Sequence, residues 1–173
     1  MSKTTIPAGG LSSDSVTTAK IADDAVTAAK ATGFGKIGQV LSVNGSTADA
    51  KTSTSYADIT GMSLAITPTA TSSKILILAK VNVLATGGGD DVGVRVQPLR
   101  GSTVLAANYS ELYISDANED PGTIGELKIN YLDSPNTTSE TTYKLQGAVP
   151  SGGTATFQFD SKFSTLTLME VLA

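Results

Sequence analysis

The residue types that most often carry catalysis are missing from this chain. It contains no His, no Cys and no Trp. Without His there is no ordinary general base near neutral pH and no imidazole metal ligand. Without Cys there is no thiolate nucleophile, no thiolate metal site and no disulfide. Carboxylate pairs remain. Glu111, Glu119, Glu126 and Glu140 could in principle place two carboxyls about 5–9 Å apart for glycoside cleavage. Nothing in their spacing pairs them, and a short chain leaves little room for a long substrate groove. The sequence therefore predicts no enzyme, no catalytic residue and no cofactor.

Two further groups could hold a ligand. Asp116, Asn118 and Asp120 offer oxygen atoms at alternate positions, like the start of a calcium loop. Such a loop needs Gly at its sixth position and Glu at its twelfth. Pro121 and Leu127 stand there instead, which leaves a solvated acidic loop or a calcium site of another geometry. Asp90 and Asp91, after Gly87, Gly88 and Gly89, read as a solvated turn. Tyr109, Tyr113, Tyr131 and Tyr143 could stack on the sugar rings of a host glycan, since an aromatic face with a polar edge suits them. The same residues suit a core or a subunit interface. Gly33-Phe34-Gly35 lacks the Gly-Lys-Ser/Thr ending of a phosphate loop.

The elements that must position these residues fall into two regions that meet near residue 52. Residues 1–52 hold one of nine aromatics, Phe34, and carry five Lys against four Asp. Residues 53–173 hold the other eight aromatics, with seven basic residues against twelve acidic ones. The first region reads as an attachment arm or shaft and the second as a packed domain. Asp14–Lys20, DSVTTAK, recurs as Asp24–Lys30, DAVTAAK, at a period of ten. Beneath it, Ile6, Leu11, Val16, Ile21, Val26 and Ala31 are spaced by five, a step that matches neither helix nor strand. Burying six such side chains contributes at most roughly 9–18 kcal/mol. Ordering about 30 residues of backbone costs roughly 30–60 kcal/mol. The arm is not expected to fold alone. A disordered tail and a short amphipathic helix over Asp14–Lys30 remain open for it.

The second region reads as strand after strand. Lys74–Leu84, KILILAKVNVL, puts Ile75, Ile77, Val81 and Val83 on one face and Leu76, Leu78 and Leu84 on the other. A strand apolar on both faces belongs inside a sandwich or has its outer face against another subunit. Leu76, Leu78 and Leu84 are therefore the candidate subunit-interface residues. Alternation is also clear in Met62/Leu64/Ile66, Val92/Val94/Val96, Leu127/Ile129/Tyr131, Tyr143/Leu145 and Ala155/Phe157/Phe159. Val104–Leu112 and Ser164–Val171 add further strands, and no window has a useful helical period. The fold class expected is all-β, an antiparallel sandwich or jelly roll at residues 53–173.

The repeat DSVTTAKIADDAVTAAK resembles N-terminal segments of phage tail-fibre and head-fibre proteins. Tyr56–Met62, Thr67–Leu76, Arg95–Val104 and Ser164–Val171 resemble a domain common in phage structural proteins, similar to the trimeric jelly rolls of the C1q and tumour-necrosis-factor type. The resemblance implies a homotrimer whose residues 1–52 dock on tail or capsid proteins and whose knob faces outward. Its place is then the virion, assembled in a host cytoplasm. A short tail fibre, a capsid decoration or head-fibre protein, and a carbohydrate-binding module are the readings it leaves open, with a host surface glycan or protein as a possible target.

The scattered basic residues and a net charge of -4 argue against nucleic acid as a partner. No run approaches the 18 or so apolar residues of a membrane span, and the opening MSKTTIPAGGLSSD lacks the apolar core of a secretory signal. If the five-residue ladder at Ile6, Leu11, Val16, Ile21 and Val26 is the docking and trimer surface, charging it should block docking. The double variant Val16→Asp, Val26→Asp is expected to leave the knob folded and to be lost from purified particles. Normal incorporation would refute the ladder.

Overall fold

The computed structural model describes residues 36–87, 91–115, 122–150 and 152–172. The decad repeat, the ladder residues Ile6, Leu11, Val16, Ile21 and Val26, and the acidic stretch Asp116–Asp120 lie outside the described residues.

The described chain is built from antiparallel strands: β1 (Lys36–Gly45), β2 (Asp49–Lys51), β3 (Ala57–Ile66), β4 (Lys74–Thr86), β5 (Asp91–Arg100), β6 (Thr103–Val104), β7 (Ser110–Ser115), β8 (Gly122–Asp133), β9 (Thr141–Ala148), β10 (Thr154–Phe157) and β11 (Ser164–Leu172). One sheet runs β1-β11-β4-β10-β2 with β8 on the other edge of β4. The second runs β3-β9-β5-β6 with β7 also on β5. Three of these neighbours are single lines with an interruption. β1 and β2 lie end to end along β11 and β10. β10 and β11 together flank β4. β6 and β7 together flank β5. Merging the three pairs reduces eleven strands to eight lines, four in each sheet. In chain order the first sheet reads 1-8-3-6 and the second 2-7-4-5, so that every step but the β5–β6 turn crosses between sheets. This is a jelly roll.

The alternation along each strand decides which face is buried. β4 shows it most clearly: Ile75, Ile77, Ala79, Val81, Val83 and Ala85 are all buried. Opposite them, Val92, Val94 and Val96 of β5 and Tyr143 and Leu145 of β9 fill the space from the second sheet. At Gly147 the second sheet carries no side chain, and the Phe157 ring of β10 occupies the gap. A Cβ there would stand 2.2 Å from Phe157 Cζ, so no other residue fits without displacing the ring.

One buried charge cluster ties the two sheets together. Arg100 of β5 donates from Nη1 to both oxygens of Asp133 on β8, at 3.0 and 2.8 Å. The Tyr143 hydroxyl of β9 donates to Asp133 Oδ2 at 2.7 Å. Burial, then the adjacent Asp133 carboxylate, push the Tyr143 phenol well above its ordinary pKa, so it stays a donor.

Three expectations are corrected. The first is the boundary at residue 52. Lys36–Gly45 and Asp49–Lys51 are strands paired with β11 and β10, and the compact unit begins at Gly35. Gln39–Val43 reads as a short strand in the sequence, whereas the Gly-rich residues before it and the polar residues after it read as a joint and a linker, because the whole is an edge line with Ile37 and Val40 exposed and only Leu41 and Val43 packed on the core. Asn44-Gly45 ends β1, and a Cβ at Gly45 would stand 2.7 Å from Gln158 Nε2, so a larger residue would have to displace the Gln158 amide. The second is the Ala155/Phe157/Phe159 alternation. Gln158 adopts φ 55 and a 3-10 turn follows at Phe159–Ser161, so the buried position after Phe157 is Gln158. The third is the strand over Val104–Leu112, which is interrupted between β6 and β7.

Candidate functional site

The outer faces of the two sheets differ in chemistry, and the difference marks the candidate interaction surfaces. Directly opposite residues in an antiparallel pair share a face. On the first sheet Val40 pairs with Met169, Met169 with Leu76 and Leu76 with Leu132. One outward row is therefore apolar across all four lines. Ile37 stands opposite Val171 beside it, and Leu78 follows Leu76 on the same face of β4. Ile37 is 50% exposed, Val40 54% and Leu132 49%.

The candidate interface residues divide over this face. Leu76 and Leu78 lie in the apolar patch, each half-buried. Leu84 lies about 20 Å farther along β4 at the rise of an extended strand, opposite Ile124, which is 64% exposed. Between the two patches the face turns polar. Lys80 and Lys128 are directly opposed, a like-charge arrangement that costs stability, relieved by the Lys80–Glu126 ion pair at 3.1 Å. Asn82 is buried there. It donates from its backbone N–H to Ser164 Oγ at 3.0 Å and from Nδ2 to the Phe163 carbonyl, pinning the segment that leaves the line after Gln158.

The outer face of the second sheet is polar and internally paired. Asp58 accepts from Lys144 Nζ and from Gln146 Nε2, each at 2.8 Å. Gln97 donates to Gln146 at 3.2 Å. Arg95 Nε donates to Glu111 Oε1 at 2.8 Å, and Tyr56 donates to Asn108. The bond from Lys144 leads the effects that hold the Asp58 carboxyl below the ordinary carboxylate range.

The four tyrosines singled out for stacking separate in space. Tyr143 is buried in the core. Tyr109 and Tyr131 meet edge to face with centroids 6.2 Å apart at 78°, and Tyr109 donates to the Asn130 carbonyl, so both hold β8 to the segment before β7. Tyr113 alone of the four is strongly exposed, at 48%. Of the four glutamates, Glu119 lies outside the described residues, and Glu111 and Glu126 stand on different sheets. Glu111 is engaged by Arg95 on the second sheet and Glu126 by Lys80 on the first. Among the described residues no three acidic side chains converge to hold a metal ion, and no helix is long and apolar enough to cross a membrane.

The sequence reading missed Glu170, which among the described residues is the one carboxylate that is fully buried. It projects inward from β11 at the end of the sheet. Oε1 accepts from the Thr69 N–H at 2.7 Å and the Thr69 hydroxyl at 2.8 Å. Oε2 accepts from Gln39 Nε2 at 2.8 Å. Gly38 leaves room for this carboxylate, since a Cβ there would stand 2.9 Å from Oε2. Burial alone would raise its pKa. The hydrogen bonds from Gln39 and Thr69 outweigh that and hold it at about 2. Its position in an alternating Leu-Thr-Leu-Met-Glu-Val run, in phase with buried Leu166 and Leu168, is the signal that could have found it.

No protein-family model matches the chain, and no curated protein matches it. Solved structures do align with it. Eiger TNF from S. frugiperda is 8% identical, with 78% of this chain and 93% of that chain covered and a TM-score of 0.38. Infectious bursal disease virus, Gx strain, is 14% identical over 78% of this chain and 37% of that chain, with a TM-score of 0.37. A mutant VP2 protein of infectious bursal disease virus is 12% identical over 77% of this chain and 35% of that chain, with a TM-score of 0.38. The chain thus spans nearly all of the Eiger chain and about a third of each viral chain.

Glu170 gives the fold an acid limit. A folded pKa of about 2 against an ordinary 4.5 means that its contribution is complete above pH 4.5 and is lost as pH falls from there toward 2. The contribution is on the order of 1–3 kcal/mol. Thermal unfolding followed from pH 6 to pH 2.5 should show a falling Tm. Glu170→Gln should lower Tm at pH 7 and flatten the dependence, leaving only the share from groups such as Asp58. An unchanged slope in the variant would show that Glu170 does not set the limit.

Proposed function

We propose that the chain is a non-enzymatic structural protein of a bacteriophage particle, a short trimeric tail fibre. The segment before residue 36 docks on the particle, and the jelly-roll knob contacts the host surface. The observation that carries this reading is the apolar row Val40–Met169–Leu76–Leu132 with its neighbours Ile37, Val171 and Leu78. Monomeric proteins rarely leave a contiguous apolar patch of that kind in water. Identical copies are the simplest cover for it, because a closed ring buries the same patch once per subunit. The polar outer face of the second sheet, whose side chains already pair with one another, then looks outward.

The opening repeat points the same way. A ladder whose burial does not offset the cost of ordering it alone acquires partners when three copies are held together by their knobs. Burial of the patch lowers the entropy cost of gathering the arms, since their effective concentration rises once the knobs associate.

Immunogold labelling of intact virions with antibody to residues 36–172 tests the assignment. Label at the tail is expected. Label spread over the shell would overturn the tail assignment in favour of a capsid decoration protein, and no label on the particle would overturn the virion reading itself.

A further inference from the structure

We propose that the hollow on the outer face of the second sheet, between β5, β7 and Pro150, is a binding site for a neutral hexopyranose glycan. The inference deepens the host-facing reading of the knob and depends on it for its biological meaning, though not for its chemistry.

Register creates the hollow. Gly93 lies opposite Tyr113, and Arg95 lies opposite Glu111. All four positions face outward, because Val92, Val94 and Val96 between them are buried. Gly93 contributes no side chain, so the Tyr113 ring and the Pro150 ring close in above bare backbone. A Cβ at Gly93 would stand 2.8 Å from both Tyr113 Cδ2 and Pro150 Cγ. The resulting concavity measures about 740 Å3 and is lined by Arg95, Glu111, Leu112, Tyr113 and Pro150. That volume lies within the range of small-ligand sites.

The lining has the two chemistries that a sugar ring needs. Tyr113, 48% exposed, offers an aromatic face against which the C–H face of a pyranose can stack, and its neighbours Pro150 and Gly93 restrict the ring's motion. An immobilised aromatic costs little entropy on binding. Beside it stands the Arg95–Glu111 pair, each side chain 35% exposed. The bond from Nε to Oε1 uses one of the guanidinium's five N–H groups and one of two carboxylate oxygens. The Nη groups and Oε2 keep hydrogen-bonding capacity beyond that bond. Donors and an acceptor are thus presented beside each other, held by one hydrogen-bonded ion pair. A vicinal diol satisfies both: one hydroxyl donates to Oε2 and its neighbour accepts from Nη, each bond being charge-assisted.

The charge balance selects a neutral ligand. Glu111 cancels Arg95, and an anionic sugar or a phosphate approaching the guanidinium would meet the carboxylate. Apolar partners are disfavoured by the same pair, which would have to be desolvated without compensation. The rest of this face is occupied by the Asp58–Lys144–Gln146–Gln97 network, so the hollow is the place on it where polar groups and an exposed ring remain together.

The test is an amide NMR titration of the full chain with the methyl glycosides of glucose, galactose, mannose and N-acetylglucosamine, each to a concentration on the order of 10 mM, where single-sugar affinities are measurable. At least one sugar is expected to shift the signals of Gly93, Arg95 and Tyr113. Tyr113→Ala and Glu111→Gln should each weaken that sugar by about tenfold or more, while Tyr113→Phe keeps most of the affinity. Retained dispersion in the variant spectra controls for folding, and Glu111→Gln carries the test if Tyr113→Ala does not fold. Absence of shifts with all four sugars, shifts confined to another surface, or undiminished binding by Tyr113→Ala and Glu111→Gln would overturn the proposal. Sugar binding together with gold on the shell would leave the site standing and remove the tail fibre. Gold at the tail without sugar binding would do the reverse.

Discussion

The structure depends on one strand that is apolar on both sides. β4 is thirteen residues long, lies at the centre of its sheet and pairs along its full length with β8 on one edge and with β11 and β10 on the other. Its inward residues, Ile75 through Ala85, form the centre of the core. Its outward Leu76 and Leu78 cannot be served by that core. Further apolar side chains align with them, so that Val40, Met169 and Leu132 extend the row to both edges before Lys80 turns the face polar. A strand placed for the core thereby generates a contiguous apolar row on the outer face of the sheet.

The charged groups of the fold divide between specifying and shielding. Arg100, Asp133 and Tyr143 join three strands from two sheets around one carboxylate. Such a cluster fixes how the sheets sit on each other more than it adds stability, because desolvation offsets much of the attraction. Glu170 ties β1 and the Thr69 segment together at the sheet's end. On the second sheet's outer face the side chains satisfy one another. That face can meet water, and it leaves Tyr113 and the Arg95–Glu111 pair as its distinctive feature.

Much of the fold was legible in the sequence because alternation is a direct consequence of the pleat. The buried apolar residues of β4 and β8 follow it, as do Val92, Val94 and Val96 of β5 and Tyr143 and Leu145 of β9. Where the reading failed, an interruption had reset the phase. Gly61, at φ 74, sits where the β3–β9 register shifts, so that Ile59 and Met62 are both buried three residues apart. The left-handed turn at Gln158 replaced Phe159 in the core. Edge lines were the hardest case. Lys36–Lys51 has one half-packed face and a composition of small and polar residues, which is also the composition of a linker. The candidate interface residues were visible as types but not as a site. Leu76, Leu78 and Leu84 share a face in the sequence, yet cross-strand register alone shows that the first two join Val40, Met169 and Leu132 while Leu84 joins Ile124. The Tyr113 hollow depends on Gly93 lying opposite the ring, a long-range pairing that no local pattern encodes.

The central claim is that the outward Leu76 row is covered by copies of the same chain. Light scattering behind a sizing column, run on the full chain and on the double variant Leu76→Lys, Met169→Lys at micromolar concentration, tests it most directly. The full chain should elute at three times its chain mass. The variant, with two charges set on the shared patch, should elute at the mass of one chain while keeping its β-sheet circular dichroism. A monomeric full chain, or a variant that keeps the assembled mass, would contradict the claim.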